Sequence, residues 1–179
     1  MRPRSVFWRS AVLGLAAVGS LASAQNKAAE PNGVETIRAY AGVWKTHVEH
    51  FDTPYSKAGK EDGELHNDCW MSGTYFACRQ IVDGDPKVLI VFTCRDAQDC
   101  TSYQIPPNGG QPGGPGKLLL EGNTWTFPWS MTENGKTTFF RVVNVWPSPK
   151  TIEMRQEFST DQQHWTRMAT GHDEKLPEK

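Results

Sequence analysis

The most restrictive feature of this 179-residue sequence is a long series of short segments in which apolar and polar residues alternate. The series starts with Trp44, Thr46 and Val48 and continues almost to the C-terminus. Because successive side chains of a strand point to opposite faces of a sheet, a period of two predicts half-buried β-strands. Residue pairs that favour tight hairpins, Asp83-Gly84 and Asn134-Gly135, separate some of these segments. The sequence therefore predicts an all-β fold of consecutive antiparallel strands.

About ten strands are expected from this pattern. Their expected ranges are 43–50, 63–70, 74–82, 87–94, 100–105, 117–121, 123–130, 136–146, 151–159 and 165–172. A short helix should precede them, because Val34, Ile37 and Ala41 share one face at helical spacing. Asn32 can cap this helix and Gly42 can end it. One helix followed by a strand meander predicts an up-and-down antiparallel barrel with the helix at one mouth. A β-sandwich is the alternative architecture.

Residues 1–24 have the features of a signal peptide. Their positively charged start consists of Arg2, Arg4 and Arg9. A short apolar stretch at 11–21 follows, and Ala22-Ser23-Ala24 supplies the small residues that signal peptidase requires. The apolar stretch is shorter than the roughly 20 residues that span a bilayer, so cleavage is favoured over the alternative of an uncleaved membrane anchor.

The rest of the chain is expected to form one domain. Residues 25–31 should be a polar leader, residues 32–173 a single barrel domain and residues 174–179 a frayed tail. Removing the signal peptide takes away three of the 19 basic residues and none of the 20 acidic ones, which leaves a formal charge of −4. This charge argues against binding to nucleic acid or to an anionic membrane surface. A stretch rich in proline and glycine at 106–116 should be a surface loop.

The four cysteines agree with export to an oxidising compartment. Three pairings are possible, and we favour Cys69–Cys78 with Cys94–Cys100 because each pair flanks a hairpin turn. A zinc site is the alternative, but the spacings lack the paired C-x2-C pattern. Together with the signal peptide, the disulfides predict a periplasmic or secreted protein that does not span the membrane.

No catalytic residue and no metal ligand is predicted. The sequence has five histidines, but it contains no metalloprotease, nucleophile-elbow, phosphate-loop or dinucleotide-binding motif. His47 and His50 should lie on opposite faces of one strand, which argues against a joint metal site. The expectation from the sequence is that the protein is not an enzyme.

Aromatic residues are the best candidates for a binding site. The expected ligand-binding residues are Trp125, Phe127, Trp129, Phe139, Arg141 and Met154. A barrel of this size encloses either a packed interior or a cavity for one small ligand. The first hypothesis is therefore a module that binds a small apolar or amphipathic molecule. The alternative is a protein-interaction or structural barrel without catalysis and with a packed interior. If Arg141 points inward, it can either orient an acidic head group or meet a buried carboxylate or carbonyl.

Two motifs at opposite ends of the chain resemble a bacterial lipocalin-like family of the calycin superfamily. Gly42-Val43-Trp44 is similar to the lipocalin G-x-W signature, and the segment from Ser148 through Asp161 to Trp165 is similar to the closing pattern of the family. The resemblance implies a closed barrel with an internal pocket and no established enzymatic activity.

The resemblance also implies a barrel floor made of Gly42, Trp44 and Arg167, with the arginine packed over the tryptophan. A haem-binding barrel family is similar in outline and uses a histidine near the C-terminus, a part that His164 or His172 could play. The longer glycine-rich opening motif of that family is missing after Trp44, so no cofactor is expected.

Overall fold

The computed structural model describes residues 33–107, 110 and 112–177. The expected signal peptide at 1–24, the polar leader at 25–31 and the expected helix cap Asn32 lie outside these residues. In the described part of the chain, no helix is long and apolar enough to cross a membrane.

The described chain is a closed barrel of ten antiparallel strands preceded by one short helix. The helix α1 spans Gly33–Ile37 and continues as a 3-10 turn over Arg38–Tyr40. The strands are β1 (Gly42–His50), β2 (Gly59–Ser72), β3 (Tyr75–Val82), β4 (Asp85–Cys94), β5 (Asp99–Ile105), β6 (Gly116–Glu121), β7 (Thr124–Glu133), β8 (Lys136–Ser148), β9 (Thr151–Ser159) and β10 (Thr166–Lys175). Each strand pairs with the next one in sequence, and β10 pairs with β1 to close the barrel. The all-β up-and-down barrel predicted from the alternation is confirmed.

The last strand is longer than the sequence pattern indicates. Glu174, the first residue of the expected frayed tail, pairs with Thr151 of β9. Lys175 pairs with Trp44 of β1, and the Leu176 amide donates a hydrogen bond of 2.8 Å to the Val43 carbonyl. Charged side chains suggested a solvated end here, but backbone hydrogen bonds to β1 and β9 do not depend on side-chain polarity.

Both predicted disulfides are confirmed, and they join neighbouring strands at one end of the barrel. Cys69 lies directly opposite Cys78 across β2 and β3, and Cys94 lies directly opposite Cys100 across β4 and β5. The start of α1 packs against the second disulfide. A Cβ atom added to Gly33 would lie only 2.5 Å from Cys100 Sγ, so only glycine allows this close approach.

The end of the barrel that carries α1 is filled by a hydrophobic core. This core contains Ile37, Trp44, Leu118, Leu120, Trp125, Trp146 and Ile152, all of them buried. The Trp44 indole N–H donates a hydrogen bond of 3.1 Å to the Tyr40 carbonyl, which connects β1 to the 3-10 turn. We call this the closed end of the barrel.

The expected packing of Arg167 over Trp44 is wrong. Lys175 occupies that place, with Nζ 5.4 Å from the centroid of the Trp44 ring. Arg167 lies near the other end of β10 and directs its guanidinium to Glu157, at 3.8 Å. Trp44 pairs directly with Lys175, the last residue of β10, whereas Arg167 is the second residue of that strand, so the tryptophan and the arginine lie near opposite ends of the barrel.

Candidate functional site

A cavity of about 530 Å³ lies inside the barrel, beside the core of the closed end. Its walls come from β3 to β8, and the glycine-rich segment between β5 and β6 contributes Gly113 and Gly114. The apolar side chains that line it are Ile90, Phe92, Phe127, Trp129 and Val142. The uncharged polar side chains are those of Tyr40, Gln80, Ser102, Gln104 and Asn144, and Lys117 also borders the cavity. The cavity is therefore apolar over part of its wall and able to form hydrogen bonds over another part.

The register of β7 and β8 positions the largest of these groups. Phe127 lies opposite Val142, and Trp125 lies opposite Asn144. Both pairs face the interior. Because every second residue of a strand points to the same face, consecutive inward residues of β8 form successive layers along the barrel axis. Asn144 thus lies in the layer of the buried core, and Val142 lies one layer nearer the other end.

Two polar residues of the wall, Tyr40 and Gln80, form a hydrogen-bonded group with Asn67, which lies behind them and does not line the cavity. The Gln80 amide nitrogen donates to the Tyr40 hydroxyl oxygen at 2.9 Å and to Asn67 Oδ1 at 3.0 Å. The Asn67 amide nitrogen donates to the Tyr40 carbonyl at 3.1 Å. Burial raises the pKa of the Tyr40 phenol above its usual value, so this group is uncharged at neutral pH. Both Gln80 bonds use its nitrogen, which leaves the carbonyl oxygen of Gln80 available as an acceptor.

Asn144 differs from this group, because the hydrogen-bonding capacity of its amide is not used. The residue is only 8% exposed, and within the described part of the chain its Oδ1 has no hydrogen-bond partner. An unpartnered buried polar atom costs about 1–3 kcal/mol. Such an atom is unusual in a stable fold, where most buried polar atoms have a hydrogen-bond partner.

Aromatic rings lie at the end of the cavity farther from α1. Trp129 is 40% exposed and stacks on Phe140, with ring centroids 5.4 Å apart. Tyr55, from the loop between β1 and β2, packs edge-on against Phe140 and Phe158 and bonds to Thr138 at 3.0 Å through its hydroxyl. These contacts place a partly exposed aromatic surface at the rim.

Four of the six expected ligand-binding residues point into the barrel. Phe127 and Trp129 line the cavity. Trp125 lies deeper, in the core of the closed end, with its ring centroid 4.5 Å from that of Trp146. Met154 of β9 pairs with Asn144 of β8 and with Gly171 of β10, and it is not a lining residue of the cavity.

Phe139 and Arg141 do not face the interior, and neither is among the residues that line the cavity. Phe140, Val142 and Asn144 are the inward residues of β8, so the two residues that alternate with them face outward. Arg141 donates a hydrogen bond of 2.7 Å from Nε to Glu157, and its guanidinium stacks on Trp165 at 3.9 Å. It therefore meets a buried carboxylate on the outer wall and cannot orient a ligand in the cavity.

Sequence reasoning missed the polar residues of the cavity, which are Tyr40, Gln80, Ser102, Gln104 and Asn144. Polar residues at inward positions look the same in a sequence as polar residues on a solvated face. One signal was present for Asn144, because it lies two residues from Val142 and two from Trp146 on the same face. A polar residue within an apolar row is a candidate for a specific contact.

Three further titratable groups have shifted pKa values but do not line the cavity. Asp173 of β10 faces the barrel interior near the closed end, and burial raises its pKa to about 6. His164 and His172 pair with carboxylates, Asp161 at 2.7 Å and Glu153 at 2.7 Å, which raise the pKa of each imidazole. Neither histidine lines the cavity. Among the described residues, no group of three or more histidine, cysteine or acidic side chains is arranged to hold a metal ion.

No family model matches the sequence, and no curated protein matches it. Several solved structures are similar to this one in fold. An S-type phycobiliprotein lyase, CPES from Guillardia theta, superposes with a TM-score of 0.53 at 7% identity, over 83% of this chain and 95% of the other. The M. tuberculosis protein Rv2717c gives a TM-score of 0.48 at 10% identity, over 81% and 98%. The protein EF1p2_mFAP2b bound to DFHBI gives 0.36 at 11%, over 80% and 99%.

The comparison with the lyase supports the fold alone, because the identity is only 7%. The chain shares the barrel fold of the lyase, and no sequence family accompanies this likeness. The comparison also corrects one prediction. The expectation that the protein is not an enzyme is wrong, because a barrel of this fold is named a lyase and the fold therefore does not exclude catalysis.

Proposed function

We propose that this protein is an exported module that binds a small, largely apolar molecule inside the barrel. The observation that carries the proposal is the interior cavity of about 530 Å³ with Phe92, Phe127 and Val142 in its wall. This volume lies within the usual range of about 300–1,000 Å³ for small-molecule sites. The alternative of a packed interior has less support, because these side chains leave the space between them open.

The energetic basis is the removal of apolar surface from water. Each CH₂ group transferred from water into such a cavity contributes about 0.8 kcal/mol. The walls are already in place, so little ordering of the protein accompanies binding. The two disulfides, Cys69–Cys78 and Cys94–Cys100, support a periplasmic or secreted location, because disulfides persist in oxidising compartments.

The proposal can be tested with a neutral fluorescent probe, 6-propionyl-2-dimethylaminonaphthalene, whose emission moves to the blue in apolar surroundings. We expect saturable binding to the wild-type protein and a loss of at least about tenfold in affinity for Val142→Phe, which fills the cavity. Val145→Phe is the matched control, because Val145 lies between Asn144 and Trp146 and faces outward. Equal binding by the wild-type protein and Val142→Phe would place the probe elsewhere and reject the cavity.

A further inference from the structure

The cavity has no charged side chain directed into it among the described lining residues. Its polar side chains are a phenol, a hydroxyl and three amides, those of Tyr40, Ser102, Gln80, Gln104 and Asn144. Lys117 also borders the cavity, but it lies between Gly116 and the fully buried Leu118, at an outward position of β6. A charged group that entered would lose its hydration without meeting an opposite charge. The cavity therefore favours neutral molecules.

Asn144 identifies the kind of polar group that such a molecule should carry. Its side chain is 8% exposed, it borders the cavity, and its Oδ1 has no partner in the described structure. An asparagine amide offers two donors and one acceptor, and rotation about its last torsion exchanges their positions. A group that only accepts or only donates satisfies half of this amide, whereas a group that does both satisfies all of it.

Two other polar side chains of the cavity, on the 3-10 turn and on β3, also offer both kinds of hydrogen bond. Gln80 directs both of its hydrogen bonds through its nitrogen, so its carbonyl oxygen can accept a further one. Tyr40 accepts the bond from Gln80 and has a hydroxyl proton to donate. A ligand in the cavity therefore meets both donors and acceptors. The apolar residues Ile90, Phe92 and Phe127 lie around the rest of the cavity and suit an apolar body.

We propose that the ligand is a neutral molecule with an apolar body and an amide-type head group, and that Asn144 is the residue that selects this head group. Amide-type here means a carboxamide, lactam or similar group that donates and accepts hydrogen bonds at adjacent atoms. The inference rests on the proposed function, because it needs the cavity to be a binding site.

Three naphthalene compounds that differ only in one substituent test this selectivity. They are 2-naphthamide, which is neutral and both donates and accepts; 2-naphthoate, which is charged; and 2-methylnaphthalene, which has no polar group. Their affinities are measured by isothermal titration calorimetry at pH 7.5. We expect 2-naphthamide to bind the wild-type protein at least about tenfold more tightly than either of the others, the effect of one buried hydrogen-bonded contact.

The variant Asn144→Leu keeps the approximate shape of the side chain and removes its amide. We expect it to lose the preference for 2-naphthamide and to bind 2-methylnaphthalene within about twofold of wild type or more tightly. Val145→Leu, on the outer side of the same strand, should keep the preference. Circular dichroism checks that each variant is folded.

The outcomes separate this inference from the function on which it rests. If 2-methylnaphthalene binds and 2-naphthamide binds no better, or if Asn144→Leu keeps the preference, the head-group inference is wrong and the cavity remains a binding site. If none of the three compounds binds, both proposals are wrong. Tightest binding by 2-naphthoate would overturn the inference that the cavity selects neutral molecules.

Discussion

The Tyr40 hydroxyl oxygen accepts a hydrogen bond of 2.9 Å from the Gln80 amide nitrogen, which connects the 3-10 turn to strand β3 across the interior of the barrel. The Tyr40 carbonyl holds Asn67 and Trp44 through two further bonds of 3.1 Å each. One residue thus orients β1, β2 and β3 relative to the turn. These three bonds hold the 3-10 turn against the closed end and position Gln80 in the cavity wall.

Removing the Tyr40 hydroxyl should destabilise the fold, because it leaves a partly buried amide proton of Gln80 without its acceptor. We expect Tyr40→Phe to lower the free energy of unfolding by about 1–2 kcal/mol, measured by urea denaturation. Tyr103→Phe is the matched control, since Tyr103 is 41% exposed on the outer face and should change stability by less than about 0.5 kcal/mol. Equal effects of the two changes would show that the Gln80 contact does not stabilise the barrel.

Asn144 and Asn67 are two buried asparagines that should respond in opposite directions. Asn67 donates a hydrogen bond to the Tyr40 carbonyl and accepts one from Gln80, so Asn67→Leu should cost about 1–3 kcal/mol. Asn144 has an unpartnered Oδ1, so Asn144→Leu should leave the free energy of unfolding unchanged or raise it by about 1 kcal/mol. A large loss of stability in Asn144→Leu would indicate a structural role for this amide.

Asp173 should make the protein less stable as the pH rises from about 4 to about 6. Burial raises its pKa in the folded protein to about 6 from an ordinary value of 3.8. Between these values the folded state holds a proton that the unfolded state has lost, so folding is favoured at the lower pH. Above pH 6 both states are ionised, and the buried carboxylate lowers the free energy of unfolding by about 2–3 kcal/mol.

The variant Asp173→Asn isolates this effect from other groups, including the nearby His172 and Glu153, which act on the same carboxyl. We expect the variant to be more stable than wild type at pH 7.5, by about 1–3 kcal/mol, and to approach wild type near pH 4. Denaturation at a series of pH values measures the difference. A difference that does not depend on pH would show that the carboxyl has the same pKa in the folded and unfolded protein.

Gly33 and the Cys94–Cys100 disulfide should be energetically coupled. A Cβ atom at Gly33 would lie 2.5 Å from Cys100 Sγ and 2.7 Å from Cys94 Sγ, so Gly33→Ala should cost about 1–3 kcal/mol. In a background with both cysteines replaced by alanine, the space near the helix is larger and the same change should cost at least about 0.5 kcal/mol less. A double-mutant cycle by thermal denaturation measures this coupling. Strictly additive effects would contradict the contact.

Most of the fold follows from the sequence, because the period-two alternation and the turn residues define each strand locally. Asp83-Gly84 and Asn134-Gly135 occupy their expected turns, with Asp83 and Asn134 at positive φ. Both disulfides follow from two other hairpins, because Cys69 and Cys78 flank the turn between β2 and β3 and Cys94 and Cys100 flank the turn between β4 and β5. The prediction of a frayed tail from residue 174 is wrong because Lys175 pairs with Trp44 of β1. Such a pairing joins strands that are distant in sequence, so it has no local signal.

The binding site follows from the sequence only in part, and β8 shows why. One face of this strand carries Phe139, Val143 and Val145 with Arg141, and the other carries Phe140, Val142 and Trp146 with Asn144. Both faces are apolar with one polar residue, so the alternation alone cannot decide which one points inward. The barrel resolves the ambiguity by placing Glu157 beside Arg141 on the outer wall and Trp125 opposite Asn144 in the interior.

Native mass spectrometry of the protein recovered from its own host, without denaturation, tests the central claim most directly. We expect the wild-type protein and Val145→Phe to carry an additional mass of one small neutral molecule, and Val142→Phe, whose cavity is filled, to lack it. Wild-type protein that carries no additional mass, or a Val142→Phe variant that retains the same one, would contradict the proposal that the barrel interior is the binding site.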